Sequence, residues 1–264
     1  MHPFLFDWVV FGYHIRPPSY GVMLALSFSL AYFVSIHRAL KLGDDPKHVE
    51  NLFLIVVLGS VLGSRLFHVL FEEPAYYAAN PGKILAVWEG GYTLYGAMLT
   101  CIFFIYLYCR KKKIDYLNFA DIAALATGAG ISLGRVGCFL AGCCWGKPTQ
   151  CFLGVKFTHP ETFAGIKNVL VHPSQLYESF GTLMIFFYLW WRFKDRKYKG
   201  QIFFHGLMLY SIVRFLIEYF RGDEYRGYVF NGLVSYSQLV SLAILPFALA
   251  GIYFYSRKPQ VPKR

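Results

Sequence analysis

The chain has 264 residues, of which 56% are hydrophobic, 19% aromatic and only 16% charged. Ordinary soluble domains carry roughly 25% charged residues, so too little polar sequence remains to cover a soluble core, and a soluble globular protein is excluded. The formal charge of +11 does not mark a nucleic-acid binder either. Sixteen of the 26 Lys and Arg lie in four short clusters, at 38–47, 110–113, 192–199 and 257–264, set between long apolar stretches.

The first eighteen residues are apolar and aromatic, with Trp8 and Tyr13, and the first fifteen contain no Lys or Arg. They lack the charged start of a secretory leader and read as an interfacial segment. Three windows then hold no Asp, Glu, Lys or Arg at all: 17–37, 90–109 and 227–256. Four more, at 52–71, 119–144, 174–191 and 202–220, are similarly apolar with a few ionisable groups. Each approaches or exceeds the ~20 residues that cross a hydrocarbon core. The expected fold is therefore all-α: a polytopic membrane protein of about seven transmembrane helices in a single domain, 1–264. The connection at about 146–173, with Pro148, Gly154, Pro160 and Gly165, is expected to form a small extracytoplasmic cap. Within it 151–157 reads as a possible strand.

The basic clusters occupy alternate connections and the C-terminal end. The positive-inside rule places them in the cytoplasm, with the N-terminus outside and the C-terminus inside. Spans two, four and six then run outward, and the others inward. On that topology Arg65 and His68, Arg135, and Arg214, Glu218 and Arg221 come late in outward spans. Tyr20, Tyr95 and Glu178 come early in inward ones. All are expected in the outer half of the membrane.

A charged residue inside a span costs about 2.5–3.5 kcal/mol on insertion scales, so each is a functional candidate. Tyr210, Arg214 and Glu218 are spaced i, i+4, i+8 and share one helix face, with Arg221 seven residues after Arg214. Arginines from different spans form a candidate anion site, since the guanidinium fork suits phosphate. Two plainer readings stand beside it: Arg214 and Glu218 as a packing pair, and Arg65 reaching outward to headgroups. Asp121 and His205, near the inner ends, are expected to reach water. Gly130 and Gly134 form a small-xxx-small pair, read as close helix packing or as room for a lipid headgroup.

Cys138, Cys143, Cys144 and Cys151 fall within fourteen residues. Their spacing matches no standard zinc pattern, and a disulfide from Cys151 to Cys143 or Cys144 is an open alternative in an oxidising compartment. From the residues alone, the ligand class is a phospholipid headgroup, with no nucleic acid and no metal.

Three segments carry a family resemblance. Gly134-Arg135-Val136-Gly137-Cys138-Phe139-Leu140-Ala141-Gly142-Cys143-Cys144-Trp145-Gly146 is similar to a G-R-x-G-N-F-x-N-x-E-x-x-G signature. His172-Pro173-Ser174-Gln175-Leu176-Tyr177-Glu178 matches an H-P-S-Q-L-Y-E block, and Arg214 to Arg221 matches R-x-x-x-E-x-x-R. With Ser19-Tyr20-Gly21 and Trp88-Glu89-Gly90-Gly91, the chain resembles the prolipoprotein diacylglyceryl transferase family over nearly its whole length. The resemblance implies transfer of a diacylglyceryl group from phosphatidylglycerol to the lipobox cysteine thiol in the signal peptide of a preprolipoprotein. A thioether forms and glycerol phosphate leaves, at the outer face of the bacterial plasma membrane, without metal or cofactor.

The resemblance also implies that Arg135 and Arg214 hold phosphate and that Glu218 orients Arg214. Tyr20, Tyr210, Glu178 and Gly146 complete the site, with Arg65, Cys138, Ser174, Gln175 and Arg221 as further substrate contacts. The family's H-G-G is here Tyr95-Gly96-Ala97, so His172 and Glu178 join Tyr95 as candidates for handling the thiol proton. Cys138, Ala141 and Cys143 replace the signature's two Asn and its Glu. These departures leave a second class open: a non-catalytic or altered-specificity paralogue that binds or carries membrane lipid.

Overall fold

The structure, a computed structural model, describes residues 2–86, 90–222, 227–229 and 232–257. Trp88 and Glu89 of the expected W-E-G-G block lie outside the described residues. Seven helices of eighteen residues or more appear among the described residues: α1 (Ser19–Leu42), α2 (Pro46–Phe67), α4 (Leu94–Lys112), α5 (Tyr116–Ala141), α6 (Ser174–Arg192), α7 (Gln201–Glu218) and α8 (Tyr236–Ser256). The short α3 (Pro74–Ala79) joins them. The seven fall on the seven apolar windows, and the protein is an all-α polytopic membrane protein. Five are long and apolar enough to cross a membrane by length and hydropathy: α1, α2 with the turn that extends it, α5, α7 and α8. The basic last turn of α4, with Arg110 and Lys111, and the polar start of α6, with Gln175 and Glu178, lower the mean hydropathy of these two helices.

The helix ends follow local chemistry. Asp45 caps α2 by accepting from the Lys47 amide at 3.0 Å, with Pro46 in the first turn. Thr93 caps α4 through the Gly96 amide at 3.1 Å. Ser235 and Gln238 form a reciprocal capping box on α8. Each cap satisfies amides that a helix start leaves without partners. The outward faces are apolar, with Leu54, Leu58, Leu62 and Leu66 of α2 all exposed, as lipid-facing helices require and soluble surfaces avoid.

The helices group into two compact units. One comprises residues 36–119. Here α2 and α4 pack closely, because a Cβ at Gly96 would stand 2.5 Å from the Gly63 carbonyl oxygen. After Phe67 the chain continues through a π-helical turn (His68–Glu72), α3 and a 3-10 turn (Pro81–Leu85).

The other unit comprises residues 1–35 and 120–264. It contains a hairpin of β1 (Trp8–Val10) and β2 (Tyr13–Ile15), most of α1, and α5 to α8. A further hairpin, β5 (Tyr228–Val229) with β6 (Val234–Ser235), precedes α8. The glycines of α5 serve packing: a Cβ at Gly137 would meet Met23 of α1 at 2.9 Å, and one at Gly128 would meet Phe186 of α6 at 3.6 Å.

The segment between α5 and α6 has its own small core of Phe157, Ala164 and Val171, with Phe139 and Trp145 against it. Its strands β3 (Val155–Lys156) and β4 (Leu170–Val171) pair antiparallel. The strand expected over 151–157 is thus shorter, since a turn closed by the Gly154 amide on the Cys151 carbonyl, at 2.8 Å, takes its first residues.

Asp121 corrects an expectation. Rather than reaching water it is fully buried, accepting from Arg196 at 3.1 Å and from the Gly200 and Phe203 amides at 2.9 Å each. It caps the N-terminus of α7 from a neighbouring helix, where the helix dipole favours a carboxylate. His205 is half-buried beside the Tyr188 hydroxyl, 3.4 Å away.

Candidate functional site

The site begins where α5 ends. Gly142 adopts φ +86°, and its amide bonds the Cys138 and Phe139 carbonyls at 2.9 and 3.2 Å, a left-handed C-terminal cap. A side chain at 142 would collide with Thr162. Cys144 is also left-handed, at φ 60°, which is uncommon for a residue with a side chain. The two turns fold the chain back on the last turn of α5. The Sγ atoms of Cys138, Cys143 and Cys144 consequently all lie within 4.8 Å of one another. All six cysteines are free thiols, so the structure contains no disulfide from Cys151.

The first turn of α6 holds this loop. Ser174 Oγ donates to the Cys144 carbonyl at 2.9 Å, and Gln175 Nε2 donates to the Cys143 carbonyl at 2.6 Å. Both side chains are almost wholly buried. The Arg221 guanidinium lies beside the Cys144 thiol.

One turn further along α6, fully buried Glu178 gathers the charges. Its Oε1 accepts from Arg135 Nη2 of α5 at 2.9 Å and from the Tyr210 hydroxyl of α7 at 3.1 Å. Its Oε2 lies 3.6 Å from Arg214 Nη1 and 3.9 Å from Arg221 Nη1. Arg214 Nη2 also pairs with Glu218 at 2.9 Å and donates to Ser237 Oγ of α8 at 3.1 Å. Four helices or their ends thus meet at one charge cluster. The stripe of Tyr210, Arg214 and Glu218 forms as its spacing required, and the Arg214–Glu218 packing pair is present within a larger assembly.

This cluster carries three guanidinium groups and two carboxylates, a formal surplus of one positive charge among these described residues. Arg135 is the most open of the three arginines, with 21% of its side chain exposed. A buried site with surplus positive charge and planar donors is suited to a singly charged phosphodiester.

Gly146 tightens the frame. Its amide donates to the His172 carbonyl at 3.0 Å, and it bridges to Arg221. A Cβ there would stand 2.7 Å from the His172 Cβ. The His172 ring has Nδ1 at 3.1 Å from the Tyr177 hydroxyl and packs edge-on against Phe220. Tyr20, at the start of α1, is partly exposed and lies beside Gly137, whose added Cβ would be 3.5 Å from its ring.

Arg65 and Tyr95 belong to the other unit. Arg65 is 5% exposed and donates to the carbonyls of Lys83, Ile84, Ala86, Gly90 and Gly91, with its guanidinium over the Tyr77 ring. It neither reaches outward nor lies open to solvent; it fastens the connection from α3 to α4. His68 pairs with Glu72 at 2.6 Å. Tyr95, in the first turn of α4, is 58% exposed.

Two participants escaped the sequence reading. Ser237 gave no signal, since a serine beside a helix cap is ordinary. The three-thiol cluster was hidden because it is made by left-handed turns, not by a regular spacing.

The sequence pattern of the prolipoprotein diacylglyceryl transferase family matches residues 8–255. The chain is 35% identical over 257 residues to a phosphatidylglycerol–prolipoprotein diacylglyceryl transferase of Clostridium tetani (strain Massachusetts / E88), covering 97% of each chain. Proteins of the same name from Bordetella parapertussis (35% over 246 residues, 91% of each chain) and Geobacter sulfurreducens (33% over 254 residues, 94% of this chain and 95% of the relative) are also similar.

Proposed function

The chain belongs to the prolipoprotein diacylglyceryl transferase family, and on that premise we propose that it transfers the diacylglyceryl group of phosphatidylglycerol to a prolipoprotein cysteine thiol. A carbon–sulfur bond forms at the glyceryl carbon and the carbon–oxygen bond to phosphate breaks. Glycerol phosphate departs with the bonding electrons, and the thiol proton is released. The acceptor is the lipobox cysteine, and the setting is the outer face of the plasma membrane, N-terminus outside and C-terminus inside. The match at 8–255 runs through both compact units, and the reading treats them as one membrane domain.

The observation that carries this reading is the set of Arg135, Arg214 and Arg221 around the buried carboxylate of Glu178. Arg135 and Arg214 neutralise the charge that grows on the departing phosphate, the largest demand in such a step. Glu178 and Glu218 act as positioning residues, fixing the guanidinium forks in place. Ser174, Gln175 and Gly146 hold the adjoining loop in place, and Tyr210 and Tyr20 offer hydroxyls to the headgroup.

The test is purified protein with labelled phosphatidylglycerol and a lipobox peptide. Thioether-linked peptide and free glycerol phosphate in equal amounts are expected. Tight lipid binding with no product from a folded protein overturns the reading in favour of a lipid-binding paralogue.

A further inference from the structure

We infer that Cys138, Cys143 and Cys144 form a three-thiolate site for a thiophilic divalent cation of zinc-like chemistry, and that its occupation opposes phosphodiester binding at the neighbouring arginines.

The geometry comes first. The three sulfurs converge within 4.8 Å. A zinc–sulfur bond of about 2.3 Å puts three ligating sulfurs roughly 4 Å apart, so closure needs movements of less than ~1 Å. The backbone that presents them is fixed in advance. The Gly142 cap, the left-handed Cys144 and the pinned Cys143 and Cys144 carbonyls set where each thiol emerges. Cys138 is buried and the other two are partly exposed, which gives an ion a route in. A preformed set of three soft sulfur ligands is a donor arrangement suited to a zinc-type ion. No carboxylate or imidazole within the set would favour a harder ion.

The consequence follows from charge. Metal binding replaces three neutral thiols with three thiolates and releases three protons. With a divalent ion the unit carries −1. Arg221, one of the arginines around Glu178, lies beside Cys144. Loading therefore places a net negative charge beside the arginines that would hold a phosphodiester. The functional half of this inference rests on the transferase reading, whereas the binding half does not.

The experiment uses full-length protein in detergent, reduced and stripped with chelator, and titrated with Cd(II) as spectroscopic probe. One ion per chain is expected, with an ultraviolet sulfur-to-cadmium charge-transfer band. Cys138→Ser, Cys143→Ser and Cys144→Ser should each weaken binding at least about tenfold, since losing even a hydrogen-bond partner of a ligand commonly costs about 10–100-fold. Cys101→Ser, Cys109→Ser and Cys151→Ser should leave it unchanged. Absence of the band in wild-type protein, or its survival in the triple Cys138/Cys143/Cys144→Ser variant, overturns the site. In a second arm phosphatidylglycerol binding is measured with and without Cd(II), and a roughly tenfold weakening is expected from loss of a nearby unit charge. Unchanged lipid affinity on the loaded protein overturns the antagonism. Neither arm requires turnover, so a protein inactive in the transfer assay still tests the inference.

Discussion

Arg135 and Glu178 meet at 2.9 Å across the α5–α6 contact, joining the glycine-rich G-R-x-G segment to the H-P-S-Q-L-Y-E block. The carboxylate is fully buried and also faces Arg214 and Arg221. Breaking such a buried ion pair commonly costs about 3–5 kcal/mol, because the charges left behind remain desolvated. Glu178→Gln keeps the shape and removes the charge. It is expected to lower the thermal unfolding midpoint in detergent clearly and to reduce transfer by at least about 10²-fold. A variant that melts like the wild type would show that the arginines do not depend on this carboxylate.

Arg135→Ala and Arg214→Ala are each expected to abolish measurable transfer while the protein still inserts. Removal of one preorganised donor from a developing anion costs about 10²–10³ in rate, and two such groups share this phosphate. Arg→Lys at either position should restore only part of it, because a point charge replaces a planar fork. Arg135 is the sharper test, since it is more open than Arg214. Wild-type turnover in Arg135→Ala would remove it from the site.

The sequence carried the helices and the arginines, since both follow from simple physics. Uninterrupted apolar windows must be spans, and charges inside spans are too costly to keep without purpose. Spacing within one helix was equally legible, as Tyr210, Arg214 and Glu218 show. Contacts that depend on loop conformation were not. The role of Ser174 and Gln175 in pinning the cysteine loop rests on two left-handed residues that no periodicity announces. Arg65 looked like a headgroup contact because depth and charge were all the sequence supplied. Its backbone carbonyl partners, on residues 83–91, are visible only once the loop is folded.

That arrangement makes Arg65 separable from the phosphate cluster by experiment. Arg65→Ala would leave the buried Ala86 carbonyl without this donor, at about 1–3 kcal/mol, and would release the part-buried carbonyls of Lys83, Ile84 and Gly90. Faster amide hydrogen exchange is therefore expected across the connection from α3 to α4, with phosphatidylglycerol affinity changed less than by Arg135→Ala. If lipid affinity collapses while exchange is unaltered, Arg65 contacts the headgroup directly.

Orientation is testable independently. Reporter fusions after Lys113 and Lys199 should read cytoplasmic, while fusions near Asn80 and Lys167 should read external, as the Lys and Arg distribution requires. One reversed pair would break the outward placement of the charge cluster proposed above.

The last prediction concerns the position where the resembling family has histidine and this chain has Tyr95. A free thiol has a pKa of about 8.5, so roughly 3% is already thiolate at pH 7. A base can therefore gain at most about 30-fold through ionisation, near 2 kcal/mol. Charge stabilisation by the arginines is worth more. Tyr95 is largely exposed, which fits a hydroxyl that positions lipid or thiol by hydrogen bonding. His172 already has Nδ1 against the Tyr177 hydroxyl, and Glu178 is occupied with Arg135 and Tyr210, so solvent can take the proton. Tyr95→Phe is expected to lose no more than tens-fold in rate. Below the thiol pKa, each unit rise in pH increases thiolate about tenfold, so activity should climb with pH and recover much of the loss. Complete loss with no recovery at higher pH would show that Tyr95 carries the proton-transfer step and would reverse the ranking of arginines over base.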